Sequence, residues 1–174
     1  EALKAYERIH ELAPGRTDVV EKLKDLYEKR RDYESLIRLR RSEAEQMADP
    51  DARVAVFAEL AQLAAERLRK PPGAIELWEK VLEQDPVHLE ALRALDALYD
   101  REKDFDKQCG VLSRLVDLSR QEGEQVSLLE KLALIQGTKM ADSASAMETW
   151  RRVLDVRPTH ERAKRELRTR YLAE

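Results

Sequence analysis

The sequence predicts an all-α chain of stacked helical hairpins, about four and a half of them in 174 residues. Three observations predict it. The chain repeats itself at an offset of 72 residues, its prolines fall on a 36-residue grid, and the apolar residues between grid points keep helical spacing. "AIELWEKVLEQDPVHLEALRALDALY" begins at Ala74 and "AMETWRRVLDVRPTHERAKRELRTRY" at Ala146; the two agree at eleven of 26 positions. Average composition would give roughly two. The identities include Ala74/Ala146, Trp78/Trp150, Val81/Val153, Pro86/Pro158, His88/His160, Leu95/Leu167 and Tyr99/Tyr171. The same offset sets Ala2, Tyr6, Ile9 and Pro14 against Ala74, Trp78, Val81 and Pro86, so the duplication runs through the chain.

Pro14, Pro50, Pro86 and Pro158 mark the half-period, with Glu122 in the remaining slot. Each 36-residue unit has room for two helices. Val20, Leu23, Leu26 and Tyr27 trace an apolar stripe in one, and Leu36, Ile37 and Leu39 in the next. In chain order the predicted helices are 1–13, 17–31, 33–47, 51–69, 73–84, 87–102, 105–121, 124–140, 144–156 and 159–172. Asp18 followed by Glu21 reads as a capping box opening the second of them. Pro86 and Pro158 end the helices before them, since proline lacks an amide hydrogen and disfavours helical geometry in the residue it follows. "RRDY", "RKPPGA", "EKDF" and "MADSAS" supply the turns inside the units.

Period, helix pairing and residue types together resemble the tetratricopeptide repeat family. In "HLEALRALDALYDREKDF", Leu92, Leu95, Tyr99 and Phe105 occupy the family's large-residue places; in "AIELWEKVLEQDP", Ala74 is the small packing residue, Trp78 the aromatic and Pro86 the terminator. The resemblance covers essentially the whole chain and implies a right-handed α-α superhelix, a TPR-like solenoid forming a single array over 1–174. The pattern departs from the family at Lys24, Ala61, Asp96, Ala133 and Arg168, where glycine is preferred, and at Leu36 and Gln108, where a small residue is. These departures alternate, which predicts that odd and even hairpins pack differently. The half-a-TPR repeat of RNA-processing scaffolds is a related reading. All nine aromatics are expected in the packing, and the missing initiator Met suggests a piece of a longer chain.

Composition removes several functions. The 32 basic and 35 acidic residues nearly cancel, so no global field recruits nucleic acid or an anionic membrane surface. No apolar run approaches the ~20 residues of a membrane span. A lone Cys109 excludes an internal disulfide and fits a reducing, cytoplasmic setting. His88 and His160 hold equivalent places two units apart, too distant to share a metal, and read as helix-terminus or surface residues. No metal spacing, nucleophile elbow or phosphate loop is present, so no cofactor and no catalysis are expected.

What the resemblance does imply is binding of a protein or peptide on the concave face lined by the first helices. The inward positions would be Asp18, Glu21, Asp25, Glu28 and Lys29, then Glu90, Arg93, Ala97, Asp100 and Arg101, then Arg162, Arg165 and Thr169, running from acidic towards basic. The chain has no Asn, which disfavours the Asn-based carboxylate clamp of the family's chaperone-binding members. Arg30, Arg31, Arg38, Arg40 and Arg41 form the one basic patch, but Glu34, Glu43 and Glu45 share its helix, and a solvated, salt-bridged face is expected there. The expected role is a non-catalytic interaction scaffold, with a structural arm or self-association element as the alternative.

Overall fold

The computed structural model describes residues 1–68 and 71–171; the expected helix ends at Arg69 and Leu172 lie outside the described residues. Among the described residues there are ten α-helices and no strand. The chain forms two compact units, Glu1–Pro86 and Val87–Glu174. The first holds α1 (Ala2–Leu12), α2 (Thr17–Arg30), α3 (Tyr33–Glu45), α4 (Pro50–Leu63), a π-helical turn (Ala64–Leu68) and α5 (Pro71–Gln84). The second holds α6 (Leu89–Glu102), α7 (Phe105–Leu118), α8 (Glu122–Thr138), α9 (Ser143–Val156) and α10 (Glu161–Tyr171).

From α2 onward, helix starts repeat at the 72-residue offset: Thr17, Leu89 and Glu161; Tyr33 and Phe105; Pro50 and Glu122; Pro71 and Ser143. At 36 residues they do not. Pro14, Pro86 and Pro158 sit in turns three residues ahead of a helix, whereas Pro50 is the first residue of α4 and Glu122 the first of α8. Proline is tolerated at a first helical position because that amide has no intrahelical acceptor, which lets one grid mark serve two geometries. The chain thus alternates A hairpins (α2–α3 and α6–α7) with B hairpins (α4–α5 and α8–α9).

Local chemistry explains the two turns. Each A hairpin closes through a left-handed residue, Arg31 at φ 56° and Lys103 at φ 60°. The following Asp32 and Asp104 amides reach back to the Tyr27 and Tyr99 carbonyls, and their carboxylates cap the next helix by accepting from the amides of Ser35 and Lys107. The small residues close the B hairpins: Ala61 and Ala74 in one, Ala133 and Ala146 in the other, all fully buried. The A hairpins place Lys24 with Leu36 and Asp96 with Gln108 at the corresponding contacts, so the residues that break the family pattern are those that separate the two hairpin types.

The core follows the repeat. Val19, Val20, Leu23, Tyr27, Leu36 and Leu39 form one cluster in the first unit. Val116, Val126, Leu129, Ala133, Met147, Trp150, Val153, Ala163 and Leu167 form one in the second. Trp78 and Trp150 are 2% and 0% exposed. Burial, followed by donation of its hydroxyl to Glu7, pushes the Tyr27 phenol up to about 12. Two expectations fail. Tyr171 is 52% exposed, because no described helix covers α10 as α3 and α7 cover Tyr27 and Tyr99. The capping box at Asp18 does not form: α2 starts at Thr17, two residues before the start an Asp18 cap requires, with Arg16 at its cap and Asp18 inside its first turn.

The first-helix face as a candidate binding surface

α2, α6 and α10 carry the residues expected to face a partner, and each unit shows a distinct pattern. In α2, Asp18, Glu21, Glu28 and Lys29 are exposed and Asp25 is half-buried. Asp18 pairs with Arg16, whose hydrogen bonds hold its carboxyl below the usual range. Glu21 accepts from Lys24 at 2.9 Å and Asp25 from Lys29 at 2.7 Å. Lys24 also reaches Glu43 of α3 at 2.9 Å, and Arg40 of α3 reaches Glu59 of α4 at 2.6 Å. Charges therefore alternate along α2, α3 and α4.

In the second unit two ion pairs run between α6 and α8. Arg93 of α6 donates to Glu124 of α8 at 2.9 Å, and Lys131 of α8 donates to Asp96 of α6 at 2.6 Å. Gln108 of α7, fully buried, donates to the same Asp96 carboxylate at 2.9 Å and to the Asp96 carbonyl at 3.3 Å. Arg162 of α10 lies 3.7 Å from Glu130 of α8 and stacks over the Trp150 ring at 5.8 Å. Of the expected set, Arg93 and Arg162 are thus engaged, whereas Arg101 and Arg165 are exposed with no ion pair among the described residues. Glu90 and Asp100 are exposed on α6. The residues the spacing did not single out are Glu59, Glu124, Glu130 and Lys131. Each is an ordinary solvated carboxylate or lysine by local pattern, and its partner is a helix or more away.

Two of the three histidines are helix caps. Nδ1 of His88 accepts from the Ala91 amide, and Nδ1 of His160 from the Ala163 amide, both at 3.2 Å. At the equivalent place in the first unit stands Arg16. Cys109 is half-buried with Sγ 3.6 Å from Sδ of Met140, and burial pushes its thiol up. The basic patch is partly neutralised: Arg40 holds Glu59, and Arg41 holds Glu45 at 3.0 Å and Glu76 at 2.8 Å. Among the described residues no group of three or more His, Cys, Asp or Glu is placed to hold a metal, and no helix is long and apolar enough to cross a membrane.

No known family's sequence profile matches the chain, and no curated protein matches it. Solved structures do. The crystal structure of MamA is 20% identical and aligns over 87% of this chain and 84% of its own, with a TM-score of 0.50. YrrB, described as a TPR protein with an unusual peptide-binding site, is 16% identical over 94% of this chain and 80% of its own, with a TM-score of 0.47. BtubC from P. vanneervenii is 20% identical over 98% and 79%, with a TM-score of 0.46. The likeness to MamA shows the fold: this chain is a tetratricopeptide-like array of α-helical hairpins.

Proposed function

We propose that the chain is a non-catalytic scaffold that holds a partner protein or peptide on its first helices. The observation that supports this most is the division of labour between faces. Most large apolar residues are absorbed by the core, Leu89 and Tyr171 being half-exposed, while α2, α6 and α10 leave Glu28, Asp100, Arg101 and Arg165 exposed on preformed helices. A preformed surface lowers the ordering cost of binding an extended or helical segment. Arg101 and Arg165 carry the charge selectivity of this reading, since Arg93 and Arg162 are already paired within the fold. The RNA-scaffold reading loses support, because Arg40 and Arg41 of the basic patch are occupied by carboxylates.

The test compares capture from a lysate by the chain, by a first-helix variant carrying Arg101→Glu and Arg165→Glu, and by a second-helix control carrying Glu83→Lys and Arg151→Glu. The scaffold reading expects a retained protein that the first-helix variant loses and the control keeps, with equal helicity in all three. Retention unchanged in the first-helix variant refutes it.

A further inference from the structure

Each B hairpin of this chain has two A hairpins of matching size to stack on: the one in its own unit and, in a second copy, the one of the other unit. Much of the core is common to the two units, with Ala61/Ala133, Ala74/Ala146, Trp78/Trp150 and Val81/Val153 equivalent and buried, while Phe57/Leu129 and Leu77/Thr149 are buried in both but differ in size or polarity. The charges differ in sign. Position 24 of α2 is Lys and position 59 of α4 is Glu; 72 residues on, α6 has Asp96 and α8 has Lys131, so the polarity is reversed. The second helices differ to match. α3 presents Arg40 to Glu59 and Glu43 to Lys24, whereas α7 has Leu112 and Leu115 at those positions, both buried, and leaves Asp96 to Lys131 and Gln108.

We propose that Asp96 with Lys131, and Arg40 with Glu59, are specificity determinants of hairpin pairing, and that they oppose docking of a B hairpin on the other unit's A hairpin in a second copy of this chain. If α4–α5 of a second copy docked on α6–α7, Glu59 would replace Lys131 beside Asp96. That carboxylate is 16% exposed, and Gln108 would be its remaining donor. If α8–α9 docked on α2–α3, Lys131 would replace Glu59 beside Arg40, itself 25% exposed, with Lys24 on the neighbouring helix. Each exchanged pairing brings like charges together where water is partly excluded, and each native pairing satisfies them. The arrangement answers a hazard of duplicated sequences, whose cores are similar enough to compete for the same partners.

The test uses the full chain. Asp96→Lys combined with Lys131→Glu keeps an attractive pair inside the second unit but gives it the polarity of the first, removing the discrimination. Wild type and variant are unfolded in urea, refolded by dilution at high protein concentration, and sized by chromatography with light scattering. The expected result is a rise of about tenfold or more in the dimer-to-monomer ratio at unchanged helicity. Adding Arg40→Glu and Glu59→Lys restores opposite polarity and should return the ratio to the wild-type value. A reversed variant that refolds as monomeric as wild type overturns the proposal, and so does a raised ratio that the four-residue variant fails to lower. If the reversal does not fold, Asp96→Asn with Lys131→Gln removes the like-charge clash without adding one. A smaller rise is then expected, and a wild-type ratio overturns the proposal equally.

Discussion

Replacing Trp150 with alanine should remove much of the stability of the second unit. The indole is fully buried within the cluster of Val126, Leu129, Ala133, Val153, Ala163 and Leu167. Truncating a buried Trp costs about 3–5 kcal/mol through lost transfer energy and the cavity left behind. Loss of the half-exposed Arg162 stacked over the ring adds at most about 1 kcal/mol. The indole nitrogen has no hydrogen-bond partner, so the substitution strands no acceptor. A total near 4 kcal/mol compares with the 5–15 kcal/mol typical of a whole domain. With a urea slope of about 2 kcal/mol per molar, the midpoint of the transition reporting the second unit moves down by about 2 M. Circular dichroism follows helix loss, and the remaining Trp78 follows the first unit by fluorescence. Tyr171→Ala is the matched control: it also removes a repeat aromatic, but one 52% exposed, and should cost below about 1 kcal/mol. A Trp150→Ala cost as small as that of Tyr171→Ala refutes the packing described.

Lys103→Gly should stabilise the chain by about 1 kcal/mol, because φ 60° at that position penalises a side chain that glycine lacks. Thermal melts check it, and a lowered midpoint contradicts it. His88→Ala and His160→Ala should each cost about 1 kcal/mol through a lost helix cap, with His88→Asp recovering most of the loss in urea titrations. For pH, hydrogen bonding to Arg40 holds the Glu59 carboxyl below its ordinary value of 4.5. A depressed folded value means this contribution is present above about pH 4.5 and is lost as pH falls through the lower folded value. Glu59→Gln should therefore lose more stability at neutral pH than at pH 3, and an equal loss at both would contradict the pairing.

Much of the fold was legible because repetition supplies an internal control. A helix boundary written at Thr17 recurs at Leu89 and Glu161, and the placement of His88 and His160 at helix termini followed from their spacing. The half-period set the first helices of the B hairpins to begin at 51 and 124, whereas they begin at Pro50 and Glu122, since proline marks both a turn before a helix and a helix's first residue. The expected single helix over 51–69 resolves into α4 and a π-helical turn, a distinction that hydrophobic periodicity does not encode. The candidate surface was only half legible. Exposure of Arg101 and Arg165 follows from local spacing, but the engagement of Arg93 by Glu124 and of Arg162 by Glu130 depends on side chains more than thirty residues away in the chain. Gln108 looked like a breach of the small-residue rule; the structure makes it one of the donors that hold Asp96.

The most direct test of the scaffold is hydrogen exchange on the chain with and without its captured partner, read helix by helix by mass spectrometry. Holding a partner on the first helices predicts added protection in α2, α6 and α10 and little change in α3, α5, α7 and α9. Protection concentrated on the second helices, with the first helices unchanged, would contradict it.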